Sequence, residues 1–408
     1  MFRNRTFFVT LLATVFLMGI YFLIGALSGA QGKELPTDVE KWLKENKIGP
    51  FQEDKVDYGA LYQAAKKEGK VVVYSSTSRG PKSFALGFHE KYPGIEVEWN
   101  TIGTGESIKR LMTEQKAGIY NLDLINASDP PGQYNILVPA NMIFPWAPPE
   151  LREVIPREWR DPLLVHRLTG TAVFYNTHAL KEPPIDSWWD MTKPEWKGRL
   201  VASDPRTYVL ALNQFITFVL NADEMAKDYK RVFGKSIKLT TPNAGYEWIK
   251  MFFANEPKMV KKQFELRFAG KPGQEKPPLA LNMTISRVTD VGNPKYGGIK
   301  WAPIVNLKPR VGIVYPTLMN IAYKAPHPNA TKLVIRWLMG DEKGGGGFAP
   351  WFVPGYAPAR TDVTVAPPHP FVPELTWSFK DINFWYLDSK GVWKKKTKVL
   401  DFIYRHLK

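Results

Sequence analysis

From Tyr58 onward the apolar positions fall into short runs that switch between a helical and an extended period. Tyr58–Gly69 carries its apolar residues at helical spacing and stops on glycine, the residue that most easily takes the left-handed turn closing a helix. Lys70–Tyr74 is nearly continuous Val, the pattern of a strand buried on both faces in a parallel sheet. A polar turn over 75–80 follows, then a helix through Phe84, Leu86 and Phe88, closed near Tyr92-Pro93-Gly94. Ile95–Trp99 alternates as a strand, and Thr101–Gly105 forms a second polar turn. Glu106–Lys116 reads as a helix with Ile108, Leu111 and Met112 on one face, and Leu122–Ile125 as a third strand. This β-α-β-α-β order with short connections predicts an open, mostly parallel α/β sheet.

A second block repeats the style at different spacing. Ala172–Thr177, Leu200–Ala202, Leu279–Asn282 and Val311–Tyr315 read as strands. The turn Ser203–Thr207 opens a helix through Phe218, another helix follows near 223–233, and Ala330–Met339 is amphipathic. No repeat of period 20–50 is present. The glycine run at 344–347 lacks the Lys-Ser or Lys-Thr of a phosphate loop and reads as an ordinary loop.

Composition narrows the chemistry. The 408 residues contain no cysteine, which removes disulfide scaffolds, Cys-ligated metals and thiol nucleophiles. Thirty-four prolines argue for many loops and against coiled coils. The net charge of +16 is mostly spread out; the only lysine run, Lys394, Lys395, Lys396 and Lys398, is at the C-terminus and reads as a solvated helix face, with a membrane or partner contact as the alternative. Nothing concentrates charge and aromatics as a nucleic-acid binder would. Residues 6–32 carry no charge and follow Arg3 and Arg5, the pattern of an export signal with Ser28 and Ala30 before a cut at Gln31, or of a retained membrane anchor. Both readings export the remainder.

Enzymatic signatures are missing. None of the six histidines pairs with another at three- or four-residue spacing, and no Gly-x-Ser-x-Gly elbow occurs. What remains are three polar turns at carboxyl ends of strands, over 75–80, 103–107 and 203–207, each feeding a helix. Ligands of open α/β sheets sit at such places, where free amides and the helix dipole favour anions. The candidate ligand-binding residues are Ser75, Ser76, Ser78, Arg79, Thr104, Glu106, Asp204, Arg206, Thr207 and Arg287, with no metal site and no cofactor expected. Trp99, Tyr175, Trp188 and Tyr208 flank the turns and read first as core packing.

Segments 62–76, 88–97, 105–107, 174–177, 194–200 and 204–207 together resemble, in order, bacterial extracellular solute-binding proteins of ABC transporters, the two-lobed type 2 class that includes ferric-iron-binding proteins. The resemblance covers residues 57 to about 360. It implies a type 2 clamshell, each lobe a mixed, mostly parallel sheet flanked by helices. Lobe 1 is expected over 57–167 and 315–360, and lobe 2 over 168–314. Residues 1–30 are then a signal or anchor, 31–56 an N-terminal extension and 361–408 a C-terminal extension. The resemblance implies delivery of a ligand to a permease, and the donor residues add that the ligand is a small anionic solute or anionic metal chelate; the expected receptor is a monomer, periplasmic or on the extracellular face of the cytoplasmic membrane. The alternatives are a ferric-iron-binding protein without tyrosine ligation, and an exported α/β enzyme or sensory domain. Glu106 matches an iron-site glutamate of that family, but the family's iron-site histidine falls near Ser78 and its tyrosine pair near Thr284 and Ile285. Crossing strands are expected near Leu168–Val173 and Val311–Leu318.

Overall fold

The computed structural model describes residues 34–372 and 379–407. The expected signal or anchor lies outside these residues, and among them no helix is long and apolar enough to cross a membrane. The chain divides into two compact units at residue 45. The first contributes helix α1 (Thr37–Asn46), with Asp38 and Glu40 in its first turn and Lys44 in its last, charges that complement the helix dipole.

In the second unit, helix α2 (Tyr58–Glu68) starts under Asp57, whose carboxylate accepts from the amides of Gly59 and Ala60, and ends on Gly69 at φ +71°. Strand β1 (Lys70–Ser75) pairs in parallel with β2 (Glu96–Thr101) and β3 (Leu124–Ala127). The helix expected through Phe88 is split into α3 (Gly80–Phe84) and α4 (Phe88–Lys91), because Gly87 turns the chain at φ +106°. Helix α5 (Thr104–Lys116) runs between β2 and β3.

The long strand β4 (Val165–Asn176) makes two lobes out of one continuous sheet. Its Arg167–Gly170 stretch pairs antiparallel with the later crossing strand, whereas Thr171–Asn176 pairs with strands of the second lobe. That second lobe holds β5 (Leu200–Ser203), helices α6 (Val209–Leu220), α7 (Ala222–Phe233) and α8 (Ala244–Ala254), and β6 (Lys258–Val260), β7 (Leu279–Thr284) and β8 (Trp301–Pro303). Strand β9 (Ile313–Ala322) returns to the first lobe, antiparallel to β4 and β3, and leads into α9 (Pro328–Leu338). The sheet order is β2-β1-β3-β9-β4-β7-β5-β6, parallel within each lobe's end and antiparallel where the chain crosses. A short strand β10 (Tyr356–Pro358) pairs with β4 at Arg167–Thr169.

The C-terminal segment is built into this frame. Strand β11 (Trp385–Tyr386) pairs with β9 at Ile313–Val314. Helix α10 (Ser389–His406) presents Val392, Val399 and Ile403 to the aromatic core around Phe215, Phe218 and Trp248. Each such fully buried aliphatic side chain contributes about 1.5–3 kcal/mol. The end of the Phe384 ring lies 2.6 Å from where a Cβ on Gly170 would fall, so any side chain there would have to displace the ring. The same helix touches the first lobe through the amide of Asn135, which donates to the Ser389 carbonyl at 3.2 Å.

Candidate functional site

The functional groups gather where β4 changes lobes. Arg167 enters from β4, Tyr315 from β9, Tyr356 from β10 and Arg79 from the turn after β1. From the second lobe come Tyr208, just ahead of α6, Thr284 at the end of β7, and Ser286 and Arg287 just after it. Gly355 brings the chain in at φ +93°; a Cβ there would lie 2.4 Å from the Ser286 amide nitrogen. Only glycine permits this approach, and it sets the Tyr356 phenol against the Ser286 hydroxyl.

Arg167 is the centre of the group. It is 2% exposed, yet among the described residues no carboxylate pairs with it. Its Nη1 donates to His166 Nδ1 at 2.7 Å, and its guanidinium lies 5.3 Å from both the Trp351 and the Tyr356 rings. The Nε–H has no partner. Because a guanidinium can only donate, His166 Nδ1 accepts and its Nε2–H donates to the Leu338 carbonyl at 3.0 Å. Burial first, then Arg167, holds the imidazole neutral, well below its ordinary pKa. Asn126 and Ser75 complete the chain behind it, with Ser75 Oγ 3.3 Å from Asn126 Oδ1. Burial pushes Arg167 itself down to about 10.

Positive charge also acts on the phenols. Burial would raise the Tyr356 pKa, but Arg79 and Arg167 outweigh it and hold the phenol below its usual value. Arg79 stands 5.4 Å from the Tyr356 ring and donates to the Pro350 carbonyl. Tyr208 and Tyr315 both hydrogen-bond Thr284; burial pushes Tyr208 up to about 12 and Tyr315 well above its ordinary value. Two phenols thus meet at Thr284, and a third, Tyr356, at Ser286 two residues on.

The expected residues divide. Arg79 and Arg287 join the group, Arg287 through its charge on Tyr356 and Tyr208, with Asp290 3.7 Å away. Ser75 is buried and bonded internally, Ser76 donates its amide to the Asn126 carbonyl, and Ser78 is exposed. Thr104 opens α5, and Glu106 is exposed in its first turn, where it acts on Arg110. In the 203–207 turn, Arg206 Nη2 meets Asp204 Oδ2 at 2.6 Å and its Nε meets both carboxylate oxygens, while Thr207 bonds the Asp204 carbonyl. Burial would raise the Asp204 pKa, but the Arg206 bonds hold it low. The expectation that Arg206 is a free ligand donor therefore meets an arginine already paired within its own turn. Trp188 is core, at 1% exposed, as read; Tyr208, read the same way, packs against the same core and also turns its hydroxyl to Thr284. Arg167, Tyr315, Tyr356 and Ser286 were not foreseen; the signal available was an arginine just ahead of the apolar part of the crossing strand.

A two-lobed α/β sheet joined by crossing strands, with polar groups from both lobes facing at the crossing, defines a solute-binding clamshell. The chain belongs to the bacterial extracellular solute-binding protein family, whose sequence profile matches residues 53–344. As a member it binds a small solute and serves an ABC permease. Solved structures share the fold. A ferric binding protein from Campylobacter jejuni superposes with a TM-score of 0.58 at 17% identity, over 82% of this chain and 99% of that one. Iron-bound HitA from Pseudomonas aeruginosa gives 0.61 at 14%, over 83% and 99%. Trichodesmium FutA in complex with iron and citrate gives 0.57 at 15%, over 83% and 99%. No curated protein matches the chain in sequence.

Proposed function

We propose that this protein captures a small anionic solute, or a metal chelate with an anionic periphery, between its lobes and delivers it unaltered to the permease. The observation that carries this reading is Arg167, a buried cation with no carboxylate partner among the described residues and an unpartnered Nε–H. An unpaired buried charge is costly until an opposite charge arrives. Arg79 and Arg287 add charge beside it, and the Ser286 and Thr284 hydroxyls and three phenols supply hydrogen bonds for the remaining oxygens. The lobes close about β4 and β9, which carry Arg167 and Tyr315 in the hinge itself.

The chelate arm of the proposal rests on the convergence of Tyr208, Tyr315 and Tyr356, oxygen ligands of the kind a hard cation takes. The test is a calorimetric screen of phosphonates, phosphate esters, carboxylates, ferric citrate and ferric salts against the purified full chain, with recovery of the ligand afterwards. Tight binding of an oxyanion or chelate, recovered intact, is expected. Tight binding of bare ferric ion with a visible tyrosinate band, and none of the anions, would overturn the anion reading.

A further inference from the structure

Away from the arginine site, α5 and α10 face each other across a hollow of about 230 Å³ whose apolar part is Ile108, Met112, Ile136 and Trp393. Lys109, Lys116 and Lys396 also line it. None of these lysines is within ion-pair distance of a carboxylate among the described residues, although the charge of Lys396 acts on Asp129; the Lys396 ammonium lies 5.4 Å from the centre of the Trp393 ring. The acid in the lining, Asp129, is 5% exposed, accepts from the Gly132 amide at 3.2 Å, and has its pKa pushed up by burial. Beyond the hollow, the outer side of α10 continues the charge. Lys390, Lys394, Lys395 and Lys398 are exposed, and Asp401 is the one acid on the helix. Tyr404, 55% exposed, stands on the same side.

An indole and a thioether beneath a ring of ammonium groups match an amphiphile with an anionic head. The lysine row beside them matches many such heads at once. We propose that α5 and α10 form a docking surface for an anionic phospholipid bilayer, with one lipid phosphate among Lys109, Lys116 and Lys396 and its apolar part over Trp393. Lysines near an anionic leaflet each strengthen adsorption, and tyrosine and tryptophan suit the interface. Read as an export signal or an anchor, the uncharged run at residues 6–32 brings the chain to a membrane, which puts such a surface within its reach. This surface shares no residue with the arginine site.

The test is hydrogen–deuterium exchange on the full chain in nanodiscs of zwitterionic lipid, with and without phosphatidylglycerol. Amides of 105–116 and 390–398 should slow about tenfold or more in the anionic discs alone. High salt should weaken the effect. The triple variant K109E/K116E/K396E should abolish it while the melting temperature and the anion affinity of the arginine site stay unchanged. If that variant melts early, K109Q/K116Q/K396Q takes its place. Equal exchange in both discs, or protection that survives the triple variant, would overturn the proposal. Protection by soluble glycerol phosphate would assign the site to a free phosphate ester, and protection by an acidic peptide but not by discs would assign it to a protein partner; either result overturns the bilayer assignment.

Discussion

Arg206 and Arg167 meet their surroundings in opposite ways. Arg206, on the polar turn before α6, is 37% exposed and grips Asp204 with two nitrogens. Arg167, on the crossing strand, is 2% exposed and faces aromatic rings and a neutral imidazole. The charge of the first is cancelled inside its own turn. The charge of the second has no carboxylate partner among the described residues. An arginine's place at the mouth of a helix therefore says less about binding than the presence or absence of its own carboxylate.

The largest expected effect follows from removing the uncompensated charge. Arg167→Met should weaken the tightest anion found in the screen by roughly 30-fold or more, the cost of about 2–5 kcal/mol for losing a buried charge partner. The empty protein should melt no lower, and higher if the methionine packs against Trp351, since an unpaired buried cation opposes folding. Calorimetry and thermal melting of the same variant check both halves. Next comes Gly355→Ala, which forces a side chain into the left-handed region and 2.4 Å from the Ser286 amide. It should cost about 1–3 kcal/mol of stability in denaturant titration and displace Tyr356.

Much of the first lobe was legible because its signals are local. The Asp57 cap, the Gly69 stop and the valine run of β1 stand where pattern and turn chemistry place them. The strand β4 was read from Ala172, with the crossing placed near Leu168–Val173, and its start at Val165 was missed because His166, Arg167 and Thr169 interrupt the apolar run; His166 and Thr169 are buried polar groups bonded to carbonyls far along the chain, whereas Arg167 keeps an unpartnered Nε–H. The site suffered for the same reason. Arg79 and Arg287 were visible as charges beside turns, whereas Tyr356 becomes a site residue only through β10 pairing with β4, nearly 190 residues away. Arg206 carried a local signal, and a second local residue, Asp204, cancels it.

A smaller effect separates the phenols by pH. The folded pKa of Tyr356 lies below that of the unfolded chain, near 10. Between the two values the unfolded state binds more protons, so this residue makes stability rise with pH. Tyr208 and Tyr315 are shifted upward, hold their protons longer than the unfolded chain, and make stability fall above about pH 10. A phenolate at Tyr356 also repels an entering anion, so affinity should decline across the same window. Tyr356→Phe should remove both the rise in stability and the decline in affinity; calorimetry and melting across pH check it. The smallest effect on binding is Arg206→Ala, expected to change anion affinity by no more than about twofold; stability should fall by about 1–3 kcal/mol, because the buried Asp204 carboxylate loses its partner.

The contrast between the two arginines can be read in one experiment. Guanidinium proton–nitrogen correlation spectra would be recorded on the full chain as the tightest-binding anion is added, with resonances assigned by single Arg→Lys variants. The Nε–H of Arg167, unpartnered in the empty protein, should shift strongly, Arg79 should shift with it, and Arg206 should stay in place. A saturating anion that moves Arg206 and leaves Arg167 untouched would contradict the account.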